Sequence, residues 1–425
     1  MQEKINLDEC LKDQLPLSYF SANRKRLSDQ LDDPSLAIIL SGRPPHRTSD
    51  ETYPFSVNRN FYYLSGLDQE ECVLLLIRRD GQSSEILYIQ EQDPIFERWR
   101  GHRVSLEEAG AFTGITDIRL IGRLRDDLIE WLSWPNLSLW LDGSALDSQA
   151  MEMKQWLADI SCDRPVKHQD LEPILTRLRM IKCKDELDQI KKAIHLTKDG
   201  VLAMLSCLKP GLMEYHLWAE FAYSLAKSGC LSPAFPSIVA SGEHIFCLHY
   251  MTPYAQIQEG DLVQVDVGAA SCYLCADISR VFPAGGQFTD QQKKVYQIVR
   301  QCQITAFETI RPGITLQSIN EACHETARRG LMDAGFMKPD EPIKDYFWHN
   351  VSHHLGLDVH DVSEREAPLQ PGMVLTVEPG IYIPAAGIGM RIEDDVVVTN
   401  EGCLILSEGI MREAEEIEAF MSQAH

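Results

Sequence analysis

The stretch Phe347-Trp-His-Asn-Val-Ser-His-His-Leu-Gly-Leu-Asp-Val-His-Asp361 sets four histidines and two aspartates among apolar residues. Carboxylates bracket it, inside patterns that read as buried strands. Val265-Asp266-Val267 and Ala276-Asp277-Ile278 precede it; Val377-Glu378-Pro379 and Arg391-Ile-Glu393-Asp-Asp395 follow. A fold that gathers these acids into one core must protonate them or neutralise them with cations, because buried like charges repel strongly. Bound divalent metal is the simplest solution.

The rest of the composition narrows the class. At 425 residues the chain has material for two or three domains and a large core. Apolar residues at 44% and charged residues at 24% are ordinary for a globular protein. A net charge of −23 argues against nucleic acid or anionic membrane as partners. The N-terminal Met1-Gln-Glu-Lys-Ile-Asn-Leu-Asp-Glu9 has no apolar signal core, and no run approaches the roughly 18 apolar residues of a membrane span. Twelve cysteines without a framework rhythm fit a reducing compartment, so a cytoplasmic location is expected. Cys272 and Cys275 form a lone C-x-x-C in a strand-like context and are read as packing residues.

The first 170 residues alternate apolar runs with helical stretches. Leu36–Leu40, Cys72–Ile77, Glu85–Ile89 and Leu137–Leu141 read as strands, and Ser105-Leu-Glu-Glu108 as a capping box, which implies an α/β layer. A boundary is expected near Pro165 to Pro173, giving domains 1–172 and 173–425. Helices are expected over 184–208, 213–228, 290–310 and 316–334, with Pro210-Gly211 and Pro312-Gly313 as stops. Between and after them, Leu262–Val267 turns through Gly268–Ser271 into Cys272–Phe282 as a hairpin, and 373–383 and 390–399 make two later strands. Helix pair, strands, helix pair, strands suggests two similar halves.

Asp266 and Asp277 therefore fall on facing arms of one hairpin, which favours a shared role over two separately satisfied aspartates. Glu378 and Glu393 could be ordinary strand-face acids, but the apolar neighbours of Glu393 argue otherwise. His349, His353 and His360 stand out because neutral imidazole ligates divalent ions and can donate to a developing oxyanion. His46, His102, His168, His195, His216, His324 and His425 read as surface or core residues, and His244 is undecided.

These motifs together resemble the pita-bread metallopeptidases, and within them aminopeptidase P and prolidase. The resemblance spans nearly the whole chain. It rests on Val265-Asp266-x-Gly268 with Asp277-Ile-Ser-Arg280-x-Phe-Pro283, on Ser352-His353-x-Leu-Gly356-Leu-Asp-Val-His360-Asp361, on Leu375-Thr-Val-Glu378-Pro-Gly-Ile-Tyr382, and on Arg391-Ile-Glu393-Asp394. It implies an α/β N-terminal domain followed by an α+β pita-bread catalytic domain with pseudo-twofold halves. It also implies a dinuclear site in which Asp277 and Glu393 bridge two divalent ions, Asp266 binds one, and His353 with Glu378 binds the other. Manganese suits such oxygen-rich ligation, with cobalt, iron or zinc as substitutes. A hydroxide between the metals would be the nucleophile and Glu378 the proton shuttle. His249 and His360 would polarise the scissile carbonyl, while His349, Trp99 and Arg391 would serve the substrate, Arg391 also fixing the carboxylates.

Tyr53-Pro-Phe55, Asn60-Phe-Tyr-Tyr-Leu-Ser-Gly66 and Trp99-Arg-Gly101 are similar to the non-catalytic domain of the same enzymes. The Trp99 segment there can reach the active site of a neighbouring subunit, so a homodimer or homotetramer is expected. The implied substrates are peptides with proline at the second position, whose X-Pro bond lacks an N–H. Two departures are visible: Met251-Thr-Pro-Tyr254 replaces the acidic or amide residue often found after His249-Tyr250, and the loop Val362 to Gln370 offers only Arg365 as a clamp for a dipeptide carboxylate. The second favours an aminopeptidase over a prolidase, the alternative reading. A metal-free binding protein or creatinase-like amidinohydrolase is a more distant rival, because all five ligand positions are intact.

Overall fold

The apolar runs of the N-terminal region assemble into one six-stranded sheet. The structure, a computed structural model, describes residues 14–161 and 166–424. The charged start Met1–Glu9, the Pro165 side of the expected boundary and His425 lie outside the described residues. The chain divides into two compact units, Met1–Leu178 and Arg179–His425.

In the first unit the strands are β1 (Ser35–Leu40), β2 (Val73–Arg79), β3 (Gln82–Ile89), β4 (Ile118–Leu120), β5 (Ser138–Leu141) and β6 (Lys167–Asp170), in the order β4-β3-β2-β1-β5-β6. β2 runs antiparallel to both neighbours and the other pairings are parallel. Leu36, Ile38, Leu75 and Leu139 pack against Leu128 and Leu157 from flanking helices, burying one face as an α/β layer requires. The capping box forms as expected: Ser105 accepts from the Glu108 N–H, and Glu108 from the Ser105 N–H, opening the helix Leu106–Thr113. Tyr62 and Tyr63 are core residues on the helix Arg59–Ser65.

The second unit holds two long helix pairs. Lys184–Cys207 and Glu214–Lys227 form the first, Asp290–Thr309 and Leu316–Asp333 the second. In the first helix Ile190, Ala193, Ile194, Val201 and Met204 line a single buried face. Its strands are β7 (Ile238–Ser241), β8 (Leu262–Val267), β9 (Ala270–Ser271), β10 (Leu274–Cys275), β11 (Ile278–Pro283), β12 (Val374–Val377), β13 (Gly380–Ile383), β14 (Ile388–Arg391), β15 (Asp394–Val398) and β16 (Cys403–Ile405).

Three local expectations need correction. The turn of the β8–β11 hairpin is not Gly268–Ser271. A small nested hairpin, β9–β10, intervenes and turns on Cys272 (φ 51°) and Tyr273 (φ 64°). Cys272 is thus a turn residue rather than a strand residue, and Cys275 is buried. The expected strands 373–383 and 390–399 are each broken. The β12/β15 ladder ends at Val377↔Asp394, and the β13/β14 ladder begins at Gly380↔Arg391. Pro379 has no N–H to offer a ladder, so the interruption has a covalent cause.

Candidate metal centre

Glu378 and Glu393 lie in those two facing breaks, and Asp277 lies just before β11 begins. Their backbone N–H groups, released from ladder pairing, bond elsewhere. Glu378 donates to the Val351 carbonyl (2.7 Å), Glu393 to the Ser279 carbonyl (3.0 Å), and Asp277 to Oδ2 of Asp395 (3.1 Å). Asp266 stands in β8, in register with Ser279. The histidine segment runs beside β12 without becoming a regular strand. Leu355 donates to Val374, and Thr376 donates to the His353 carbonyl while its hydroxyl accepts from the His353 N–H. Gly356 is required there, since a Cβ would sit 2.1 Å from the Asp361 carboxylate.

These supports bring the acids together. Among the described residues, Asp277, His353 and Glu393 each offer a ligating atom, all within 4.8 Å of one another. Nε2 of His353 is 3.4 Å from Asp277 Oδ2 and 3.6 Å from Glu378 Oε1. The Nδ1 of His353 faces the His354 carbonyl at 3.0 Å, which can only accept, so Nδ1 carries a proton and Nε2 is left to the carboxylates. Arg391 is buried and donates to Asp266 Oδ2 (2.6 Å), Ser279 Oγ (2.9 Å) and the Tyr382 hydroxyl (3.3 Å). The other Asp266 oxygen, Oδ1, is buried without a hydrogen-bond partner.

Burial, compounded by the charges of Asp266, Asp395 and Glu378, pushes the Asp277 carboxyl well above its ordinary range. Burial and the charges of Asp277, Glu378 and Asp266 do the same to Glu393. Glu378 is pushed up to about 7 by burial, against the opposing pull of His353 and Arg391. These rises come first from burial, with repulsion among the acids added to it, in a cluster where four carboxylates meet one guanidinium. The orphaned Asp266 oxygen, the free Nε2 and the excess negative charge all fit divalent cations.

Three other expected residues surround the cluster. His349 is within 3.5 Å of Glu378 through Nδ1 and 2.9 Å from the Tyr382 hydroxyl through Nε2; burial, then the Arg391 charge, lowers it to about 4. His360 keeps an exposed edge while its ring stands edge-on to that of His353 at 4.3 Å; partial burial of the ring, then the charges of His353 and His249, lowers it. His249 is solvent-exposed on the loop after β7, and its charge bears on both His349 and His360. Trp99 belongs to the first unit, where it is 82% exposed on the helix Pro94–Arg100, none of whose residues is buried. Arg365, the one candidate for a dipeptide clamp, is exposed.

Sequence reasoning passed over several residues that build this site. Ser279 donates to the Glu393 carboxylate (2.9 Å), Tyr382 bonds Arg391 and His349, and Asp395 accepts from the Asp277 backbone N–H, yet all three read as ordinary strand positions. The Arg179 and Lys182 partners of Asp361 sit about 180 residues away in sequence, at separations of 182 and 179. No local pattern announces such pairs.

Known proteins place the fold. The description metallopeptidase family M24 matches residues 188–400, and the aminopeptidase P N-terminal domain matches 20–139. The chain is 31% identical to the Xaa-Pro aminopeptidase of Escherichia coli, over 95% of this chain and 98% of that one. It is 31% identical to human Xaa-Pro aminopeptidase 3, over 94% and 83%. A low-pH form of E. coli aminopeptidase P and its zinc-substituted product complex each superpose with a TM-score of 0.90 at 29% identity, covering 97% of this chain and 99% of theirs. Fold and site thus define a pita-bread metallopeptidase, a hydrolase that uses divalent metal. The chain belongs to metallopeptidase family M24, with the N-terminal domain of aminopeptidase P. Among the described residues no helix is long and apolar enough to cross a membrane.

Proposed function

We propose that this protein is an Xaa-Pro aminopeptidase, removing the first residue from peptides whose second residue is proline. The carrying observation is the cluster of Asp266, Asp277, Glu378 and Glu393 around His353, with an acceptor atom of Asp266 unspent. In this reading Asp266, Asp277, His353, Glu378 and Glu393 would together hold two divalent cations. The cations, manganese being the best match to this donor set, supply Lewis acidity and a water acidified enough to attack at neutral pH.

The chain's own groups do the rest. Arg391 holds Asp266 in place and, through Ser279 and Tyr382, ties it to β11 and β13. Glu378, whose proton affinity sits near neutral before cations bind, carries a proton from the attacking water to the departing proline nitrogen. His249 and His360, both exposed beside the cluster, donate to the substrate carbonyl as it gains negative charge. His349, kept neutral by its burial, lines the substrate side. The exposed Arg365 leaves a dipeptide carboxylate without a dedicated partner, which favours longer peptides over a prolidase substrate.

Two measurements test this. An X-Pro-Y tripeptide is expected to be cleaved to X and Pro-Y, and faster than the X-Pro dipeptide; cleavage of dipeptides alone would make the enzyme a prolidase. Chelation is expected to bring tripeptide cleavage to the level of a blank, with recovery on adding manganese. Full activity in chelator would refute a metal centre.

A further inference from the structure

The loop 242–255, which carries His249, has little regular structure beyond one short 3-10 turn at Gly242–Phe246. Its internal backbone bonding is sparse: Cys247 donates to His244 and Tyr254 donates to Thr252. Such a loop needs an external fixture if it is to hold a side chain at a reacting carbonyl. Glu214 is placed to provide one. It opens the helix Glu214–Lys227 and is 0% exposed. Its Oε1 accepts from the Ser241 N–H (2.8 Å), the Ser241 hydroxyl (2.8 Å) and Nδ1 of His244 (3.0 Å). Its Oε2 accepts from the Tyr250 hydroxyl (3.0 Å) and the Ala255 N–H (3.1 Å). The Glu214 N–H in turn donates to the Ala255 carbonyl (2.9 Å). The five donors run from Ser241, the strand residue just before the loop, to Ala255 at its end, and Tyr250 adjoins His249. His244 stacks on Tyr250 at 4.4 Å and 20°, joining two of the donors to each other.

From this geometry we propose that Glu214 is a positioning residue for His249: one buried carboxylate gathers both ends and the middle of the loop and so sets where that imidazole stands. The proposal rests on the role given above to His249. A carboxylate is suited because both oxygens only accept, and hydrogen bonds to an ionised acceptor are the stronger kind. Glutamine cannot substitute. Its NH2 group would face either the Ser241 N–H or the Ala255 N–H, and a backbone donor cannot turn round.

The test uses Glu214→Gln, with Tyr250→Phe as a milder variant that removes one donor should the first not fold. Each is expected to lower kcat on an X-Pro-Y tripeptide by about 10- to 100-fold, with bound metal unchanged. In a His249→Ala background the same substitutions are expected to cost less than about twofold, since the group they position is gone. Equal losses in both backgrounds, or no loss in the single variants, would overturn the proposal. Amide hydrogen exchange supplies a readout independent of substrate. Faster exchange across 247–255 than in the parent protein is expected, and unchanged exchange would count against the clamp even if the assumed substrate proved wrong. Absence of X-Pro-Y cleavage by the parent protein would instead fault the reading of function.

Discussion

An Asp277→Asn variant is expected to lose X-Pro-Y cleavage by more than about 100-fold while remaining folded. The side chain is nearly isosteric, and the N–H that donates to Asp395 belongs to the backbone and survives. What changes is the donor set: one of the two carboxylate oxygens becomes an NH2 group that cannot ligate, and the negative charge is lost. The stability change should reverse sign with metal. Asp277 has a folded-state proton affinity raised above its unfolded value, so without cations its ionised form costs stability as pH rises. A permanently neutral asparagine removes that cost. Thermal unfolding in chelator at neutral pH should therefore place the variant above the parent, and excess manganese should invert the order. Unchanged turnover, or unchanged metal content, would refute a shared ligand at this position.

The second large effect lies one residue beyond His360. Asp361 is fully buried between Arg179 (2.5 Å) and Lys182 (2.8 Å), both themselves buried. Asp361→Asn would strand Lys182 in the interior and leave Arg179 with Asp358 (2.8 Å) as its remaining carboxylate, a loss of about 3–5 kcal/mol. Lys182→Met added to that variant should restore part of the loss, because the stranded charge is then gone. Burial alone would raise the Asp361 carboxyl, but Lys182 and Arg179 outweigh it and hold it down to about 2. A depressed carboxylate contributes stability that is present above its unfolded value, near 4, and is lost as pH falls toward 2. Acid titration of unfolding should show that window in the parent and not in the variant. Denaturant unfolding that leaves Asp361→Asn within 1 kcal/mol of the parent would show that the triad is not a structural tie.

These two residues illustrate what was legible in the chain. Asp277 could be read because its chemistry conflicts with its setting: an acid among Ala and Ile is anomalous, and a second acid eleven residues earlier makes the anomaly a pattern. The helices of the second unit were legible because long runs with a 3.6-residue period and Pro-Gly stops are local features. The strand break after Glu378 was marked by Pro379-Gly380, but the one at Glu393 was not legible, since apolar residues flank it on both sides and only the pairing register reveals the gap. Glu214 and Asp361 were hidden for a related reason. An acid in the first turn of a helix usually faces solvent, and the partners that bury these two come from distant segments. Cys272 shows the opposite failure, where a strand-like composition covers a tight turn.

The interrupted hairpin has a consequence for how such a protein can change. Glu378 and Glu393 occupy positions that contribute no rung to either ladder, so the sheet is inherited separately from the chemistry mounted in its gap. A descendant could exchange those acids, abandon metal and retain every strand. The same separation lets a designer treat the gap as a socket, varying what is seated there without rewriting the frame.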